Sequence, residues 1–315
     1  MPGRSNGPAV FSAPLPSIEG NTRVYFCNGT GMRSNTEKIN FGKSIGFFLM
    51  HLSPLLAIWA GVSWIAITIC ILAYYVRMFG ITAGYHRYFS HRTFKTSRPF
   101  QFLLAFLGAT AAQKGPLWWA AHHRAHHRHS DTDEDIHSPG LKGFWWSHVG
   151  WILCNKYEET DSDLIRDFTR YRELRFINRH HSLPPFVFAA FMLALGWVLD
   201  WTAPGLGTSG FQMLVWGFFV STILLYHGTF AINSLTHIIG RRRYKTNDDS
   251  RNHWILALLT MGEGWHNNHH YYPSSEKQGF YWWEIDLSHY LLKCLSWVGV
   301  VWDLRRPPQQ IFEGS

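Results

Sequence analysis

Four long apolar stretches constrain this 315-residue chain more than any other feature of its sequence. They run from about residue 44 to 60, from 62 to 79, from 183 to 199 and from 211 to 232. A helix that crosses the hydrocarbon core of a bilayer needs about 17–25 mainly apolar residues. The sequence therefore predicts an all-α integral-membrane protein with four transmembrane helices.

A fifth apolar run, from residue 100 to 112, is too short to span a bilayer. It is followed directly by Gln113, Lys114, Gly115 and Pro116, which are poor continuations of a membrane helix. We interpret this run as an interfacial or re-entrant helix.

Basic residues indicate how the four stretches are oriented. The connections near residue 61 and at 201–210 contain no Lys or Arg, whereas both types recur at 87–98 and again from Arg241 to Lys245. Loops rich in Lys and Arg stay on the cytoplasmic side of a membrane. We therefore expect two hairpins that enter the membrane from the cytoplasm, with both termini and a helical cap on the cytoplasmic side.

Composition argues against several other classes of protein. The 16 Trp fit a membrane protein, because indole rings favour the lipid–water interface. The net charge of +8 is compatible with nucleic acid or an anionic membrane, but the apolar runs are too long for a soluble nucleic-acid-binding domain. The four Cys are scattered and form no C-x-x-C pair, which argues against a disulfide framework or zinc ribbon.

The predicted domain organisation is simple. Residues 1–40 contain Gly, Pro, Ser and Asn without a signal-peptide core. We interpret them as a flexible N-terminal segment that leads into a single membrane domain, residues 41–315.

Eight of the 19 histidines lie in three clusters. The first is HRYFSH from residue 86, the second HRAHH from 123 and the third HNNHH from 266. Positions i, i+3 and i+4 share one face of a helix, so the second and third clusters each aim three imidazoles in one direction. A fourth element, NSLTH from residue 233, follows the last apolar stretch. The candidate metal ligands are His86, His91, His123, His126, His127, His237, His266, His269 and His270.

The predicted topology brings these nine histidines to one side of the membrane. The first two clusters follow the second stretch and the others follow the fourth, so an even number of crossings separates them. Nine imidazoles can hold two metal ions with four or five nitrogens each, although imidazole suits iron, copper, zinc and nickel alike. We interpret the other ten histidines, among them His137, His148 and His227, as structural, interfacial or hydrogen-bonding groups.

A reduced metal pair at this position suggests oxidation with O₂. Metal-activated O₂ can remove hydrogen from an unactivated carbon, while the protein binds and orients the substrate. A membrane bundle that opens at the metals would hold a long apolar chain. The sequence thus indicates O₂-dependent oxidation of a lipid-like substrate.

Several motifs together resemble the membrane acyl-CoA desaturases of the stearoyl-CoA Δ9 type. They are GITAGYHRYFSHR from residue 80, the second cluster, SHVGW from 147, NSLTH from 233 and GEGWHNNHH from 262. The resemblance extends over about 41–306. It implies a four-span fold with a cytosolic cap, a kinked acyl tunnel and two irons held by the nine histidines, with Asn233 acting through a water. It also implies that Gln113, Trp119 and Thr229 shape the bend of the tunnel.

The resemblance further implies the reaction and its partners. It implies insertion of a cis double bond, at Δ9, into a saturated long-chain acyl-CoA, with O₂ as oxidant. No cytochrome b5-like segment is evident, so we expect electrons from a separate cytochrome b5-like or ferredoxin-like donor and its reductase.

One departure from the family bears on the acyl carrier. Ala121 and His122 stand where the animal enzymes have an Arg-Asp pair that helps to hold CoA. An acyl-lipid substrate therefore remains an alternative. Other residues that can bind a phosphate-bearing head group are Lys156, Arg166, Arg170, Arg172, Arg175 and Arg179.

Two other functions remain open on sequence alone. A lipid hydroxylase with the same metal pair would share the hydrogen-abstraction step. A membrane metal transporter is the non-enzymatic alternative, but transport sites favour broken helices near the bilayer midplane, whereas these histidines cluster beyond the apolar stretches.

Overall fold

The computed structural model describes residues 37–313 of the chain. Residues 1–36 of the predicted flexible segment 1–40 lie outside the described residues. Residues 37–40 run beside a later loop, where Ile39 forms a β-bridge with Cys154 and the Asn40 amide donates to the Leu153 carbonyl at 3.0 Å.

The described residues are mainly helical, as the all-α prediction requires. The two strands are only two residues long, β1 (Lys95–Thr96) and β2 (Val301–Trp302), and pair antiparallel. The helices are α1 (Ile45–Ala60), α2 (Trp64–Ser90), α3 (Arg98–Thr110), α4 (Pro116–His129), α5 (Pro139–Lys142), α6 (Phe144–His148), α7 (Arg166–Thr169), α8 (Arg172–Arg179), α9 (Leu183–Thr202), α10 (Gly210–His237), α11 (Trp254–Leu259), α12 (His266–Tyr271), α13 (Leu287–Trp297) and α14 (Gln310–Glu313).

Within residues 37–313, three helices are long and apolar enough to cross a membrane, namely α2, α9 and α10. Helix α1 is shorter, and a 3₁₀ turn interrupts it at Ser53–Leu56, where Pro54 cannot donate a backbone hydrogen bond. The predicted spans at 183–199 and 211–232 correspond to α9 and α10. A membrane crossing by α1, and with it the layout of two hairpins, remains a prediction.

Helix α2 continues well beyond the predicted end of the second span at residue 79. It begins with Ser63, whose hydroxyl accepts from the Ala66 amide at 3.2 Å, and its last segment, Gly80–Ser90, is π-helical. Every residue of this segment is buried within the protein. The helix can therefore extend through residues too polar for lipid, and it carries His86 into the interior.

Close packing of α3 against α2 holds this buried segment in place. A Cβ atom on Gly108 would lie 2.4 Å from the Tyr85 ring, and one on Gly80 would lie 2.6 Å from the Gly108 amide nitrogen. The main apolar core continues from here to Leu104 of α3 and Leu174 of α8. In contrast, α9 leaves large side chains such as Trp201 exposed.

A buried arginine joins the end of α2 to the C-terminal part of the chain. The Arg87 guanidinium is fully buried and lies 3.0 Å from Asp286 and 3.4 Å from Glu263. Buried charges persist only when they are paired in this way. The network therefore fixes the segment before α12 against the segment that carries His86.

Candidate metal centre

The nine predicted histidines converge into two groups of ring nitrogens. Within each group, one ligand nitrogen per residue lies within 4.8 Å of all the others. The first group consists of His86, His91, His123, His127 and His269, and the second of His126, His237, His266 and His270.

Helices α4 and α12 each contribute to both groups. His123 and His127 of α4 belong to the first group and His126 to the second. The three imidazoles of one helix thus point to the same region, as the i, i+3, i+4 spacing predicts, but they divide between two neighbouring sites.

A tight junction at the start of α4 positions its histidines. The Asn178 side-chain oxygen accepts from the backbone amides of Leu117 and Trp118, at 3.1 and 2.8 Å. These are amides that a helix N-terminus leaves without an internal partner. A Cβ atom on Gly115 would lie 2.4 Å from the Asn178 side-chain oxygen, so only glycine allows this approach.

Distances within the first group fit a shared metal ion. The Nε2 atoms of His91 and His123 lie 2.9 Å apart, and the Nε2 atom of His269 lies 3.0 Å from that of His86 and 2.9 Å from that of His127. A ring nitrogen offers one proton or one lone pair, so His269 cannot bond well to both neighbours. Two ligands at right angles on metal bonds of about 2.1 Å would lie about 3.0 Å apart.

The ring nitrogens of the second group are also close enough to share a metal ion. The Nε2 atoms of His237 and His266 lie 3.0 Å apart. The Nε2 atom of His270 is buried and has no hydrogen-bond partner among the described residues, while its Nδ1 lies 2.7 Å from Asp248. A buried nitrogen left without a partner, beside other ring nitrogens, is what a metal ligand requires.

Burial favours the neutral form of several of these imidazoles, whereas at His126 the carboxylate of Asp135 outweighs burial and raises the pKa. Burial lowers the pKa of His91, His123 and His127 well below the ordinary value, and the neighbouring imidazoles lower it further. Burial also lowers the pKa of His270, to about 4, although the hydrogen bond to Asp248 opposes this shift. A neutral ring is the form that binds a metal.

Four carboxylates hold the rings from the side away from the groups' centres. Such partners fix the ring orientation and the tautomer of a metal-bound histidine. Burial alone would raise the pKa of Asp135, but His126 and the backbone hydrogen bonds hold it well below its usual range. The pairs are His126 Nδ1–Asp135 (3.1 Å), His237 Nδ1–Asp131 (2.8 Å), His270 Nδ1–Asp248 (2.7 Å) and His86 Nδ1–Glu263.

None of these carboxylates is among the predicted site residues. The sequence did contain one signal for Asp131 and Asp135, because the acidic run DTDED, residues 131–135, directly follows α4. No such local signal marks Asp248, which reaches His270 from a separate loop. His137, interpreted from sequence as a structural or hydrogen-bonding group, lies with its ring centroid 4.3 Å from that of His126. Together with His126 and Asp135 it forms a third group that could hold a metal.

The three predicted tunnel residues lie together at a cavity of about 280 Å³ beside the first group. The Gln113 amide donates to the Thr229 hydroxyl at 2.7 Å. The Trp119 ring lines the cavity and stacks on the ring of His123 at 5.0 Å. Asn233 lines the same cavity, and its contact with a metal through water stays a prediction.

Ala121 and His122 stand where the resemblance implies a CoA-binding pair in the animal enzymes. Ala121 is buried, and the Nδ1 atom of His122 lies 2.8 Å from the Trp118 carbonyl. The His122 ring packs beside Trp151 and Tyr157 and belongs to neither histidine group.

Comparison with known proteins agrees with this geometry. Residues 62–296 match the family model described as fatty acid desaturase. The chain is 36% identical over 275 residues to an sn-1 stearoyl-lipid 9-desaturase of Anabaena variabilis, covering 86% of this chain and 96% of that protein.

Two plant relatives are similar to the chain at the same level. Identity is 34% to Delta-9 acyl-lipid desaturase 1 of Arabidopsis thaliana, over 87% of this chain and 86% of that protein. It is 35% to the acyl-CoA C20 Delta5-desaturase of Anemone leveillei, over 78% of this chain and 76% of that protein. Together with the histidine groups, these matches establish that the chain belongs to the fatty acid desaturase family.

Proposed function

We propose that the protein is a di-iron desaturase that places a cis double bond at the Δ9 position of a saturated long-chain acyl group. The observation that carries this proposal is the contact between Trp119, which lines the cavity, and His123, which belongs to the first histidine group. An apolar chain in the cavity would lie beside the groups that can hold metal.

In this proposal one iron is held by the five histidines of the first group. The other is held by the four histidines of the second group, with Asn233 acting through a water. When bound, the iron pair would supply the activation of O₂, so that the acyl chain loses two hydrogens while O₂, two electrons and two protons become two waters. Separate donor proteins, of the cytochrome b5 or ferredoxin kind with a reductase, would deliver the electrons.

The protein's own part is to position the chain and exclude water. The hydrogen bond between Gln113 and Thr229 crosses one side of the cavity and restricts the path that a chain can take. The indole of Trp119 lines the cavity and also lies beside the ring of His86, whose centroid is 5.9 Å away. We infer that these three residues bend the chain and so select the carbon–carbon bond that reacts.

The relatives support Δ9 more than another position. Two of those described are named 9-desaturases, of Anabaena variabilis and Arabidopsis thaliana. The carrier differs among relatives, since one from Anemone leveillei is named for acyl-CoA. For this chain, acyl-CoA follows from the motif resemblance, and a glycerolipid ester is the alternative.

We also propose that α1 crosses the membrane with α2, α9 and α10, in two hairpins that place both termini and the histidines on the cytoplasmic side. An even number of membrane crossings would then separate the histidines at the end of α2 from those at the end of α10. Both sets would therefore lie on the same side of the membrane. Residues 41–315 would act as one membrane domain.

Product analysis tests the proposed reaction. Purified protein with iron, a reductant chain and stearoyl substrates should yield a product lighter by two hydrogens, with the double bond at C9 on fragmentation. A product heavier by one oxygen would favour the hydroxylase. Zinc flux in liposomes without any oxidised product would favour the transporter.

A further inference from the structure

An arginine lies buried in the apolar part of α2, which is a candidate membrane span. Arg77 has no exposed surface, and no carboxylate among residues 37–313 pairs with it. A charged side chain inside a membrane protein is costly and usually marks a function. The proposed reaction assigns Arg77 no part, so its role has to follow from its contacts.

The Arg77 guanidinium joins α2 to three other helices. Its Nη1 atom donates to the Thr222 hydroxyl of α10 at 2.7 Å and to the Thr110 carbonyl at the end of α3 at 3.4 Å. Its Nη2 atom donates to the Ser221 hydroxyl of α10. Its Cζ atom lies 4.7 Å from the centre of the Phe188 ring of α9. The planar group thus acts as a rigid fork between helices.

The two hydroxyls that accept from Arg77 stand at the end of a π-helical segment of α10, Val215–Val220. Ser221 and Thr222 each donate onward to a carbonyl of that segment, at 2.6 Å. A π-helical turn holds one residue more than an α-helical turn, so it sets the rotation of the residues that follow it. Arg77 therefore supports the turn that orients the rest of α10.

One face of α10 then meets the turn that follows α3. Thr222, Tyr226 and Thr229 share this face, because they are spaced i, i+4 and i+7. The Tyr226 hydroxyl donates to the Ala112 carbonyl at 2.9 Å, and the Thr229 hydroxyl accepts from Gln113 at 2.7 Å. The guanidinium adds the first contact of this series, at Thr222.

The turn after α3 needs these contacts, because its backbone is strained. Ala112 has φ at +56° and Lys114 has φ at +66°. Residues other than glycine keep such values only where the surrounding structure enforces them. The contacts with α10 provide this support, and the guanidinium of Arg77 holds the turn at its start. The placement of Gln113, between the two strained residues, therefore depends on Arg77.

We propose that Arg77 is a positioning residue that sets where the acyl chain bends. This inference rests on the proposed function, in which the hydrogen bond between Gln113 and Thr229 shapes the bend. Arg77 is not among the residues that line the cavity. It acts through the end of α3 and the π-helical segment of α10, and so fixes where Gln113 meets Thr229. A shift of that pair along the cavity would present a different carbon–carbon bond to the metals.

The position of the double bond tests this role. Arg77→Met keeps a long side chain but removes the charge and the donors. The fraction of product unsaturated away from C9 should rise about tenfold over wild type, which is the discrimination that one hydrogen bond can supply. The iron content should stay the same, because Arg77 belongs to neither histidine group.

Gln212→Met is the matched control. Gln212 is buried in α10 and accepts from the Ser63 hydroxyl of α2 at 2.8 Å. Like Arg77 it joins α2 to α10, but it precedes the π-helical segment, whereas Thr229 follows it. Its loss should lower stability without moving the double bond.

Thr222→Val tests the same contact, and it decides the matter where Arg77→Met does not fold. Valine keeps the shape of threonine but removes the hydroxyl that accepts from Arg77. It should raise the fraction of product unsaturated away from C9, whereas Thr222→Ser should match wild type. An unchanged double-bond position in a folded, active variant would overturn the role of Arg77, as would an equal shift in Gln212→Met.

Hydrogen exchange separates this role from the proposed function, because it needs no turnover. In detergent, amides of Val215–Val220 should exchange about tenfold faster in Arg77→Met or Thr222→Val than in wild type, since a hydrogen bond at the end of that segment is lost. Unchanged exchange would overturn the role of Arg77 even where the product is as expected. Absence of any unsaturated product from the wild-type protein would instead refute the proposed function.

Discussion

At the residue scale, the centre is defined by histidines and by the carboxylates behind them. The nine histidines could be predicted from sequence, because i, i+3 and i+4 spacing on one helix is a local property. Asp248 and Glu263 could not, because they meet His270 and His86 only after distant segments fold together. Each of α4 and α12 carries three of these histidines. Which of the three joins which group likewise depends on how the two helices are placed relative to each other.

The carboxylates lead to a prediction about metal retention. Asp248→Ala should weaken iron binding by about tenfold to a hundredfold, because the ring of His270 loses the partner that fixes its tautomer. The iron remaining after dialysis against a graded chelator series measures this. Asp249→Ala is the matched control, since the Asp249 side chain is exposed and pairs with Arg242. Equal iron loss in the two variants would contradict the role of Asp248.

At the element scale, the decisive feature is the buried continuation of α2. Apolar composition predicted an end at residue 79, because it reports only what lipid tolerates. The helix continues to Ser90 because Thr82, Arg87 and their neighbours are buried by protein rather than by lipid. Nothing in the sequence around the glycines that permit this packing indicates which residues they contact. The contact between α2 and α3 could therefore not be predicted.

This contact can be tested by adding a single methyl group. Gly108→Ala should lower the free energy of unfolding by about 1–3 kcal/mol, because the new Cβ would lie 2.4 Å from the Tyr85 ring and the helices must separate. Thermal unfolding in detergent measures this effect. Gly205→Ala should leave the melting temperature unchanged, since nothing lies within 4 Å of its Cβ position. Equal melting temperatures for the two variants would argue against close packing of α2 and α3.

At the scale of the whole molecule, the placement of the histidines depends on how often the chain crosses the membrane. Helix α10 is a candidate span between Gly205 and Lys245. The apolar stretches predicted this helix from sequence. They also predicted a span at 44–60, but α1 is shorter than the three candidate spans and is interrupted at Pro54, so its crossing stays a prediction.

Cysteine labelling tests the predicted orientation. In a background without the four native cysteines, Gly205→Cys should react with an impermeant maleimide in intact cells. Lys245→Cys should react only after the membrane is permeabilised, because its segment is expected on the cytoplasmic side with the histidines. Labelling of both positions in intact cells would mean that α10 does not cross the membrane.

The metal content of the purified protein tests the central claim most directly. Elemental analysis should find about two irons per chain in the wild-type protein, because the nine histidines form two groups. His126→Ala and His270→Ala should each lower that ratio and abolish desaturation, since both remove ligands of the second group. A wild-type protein that holds zinc or a single metal, or a His270→Ala variant with full iron content and normal turnover, would contradict the account.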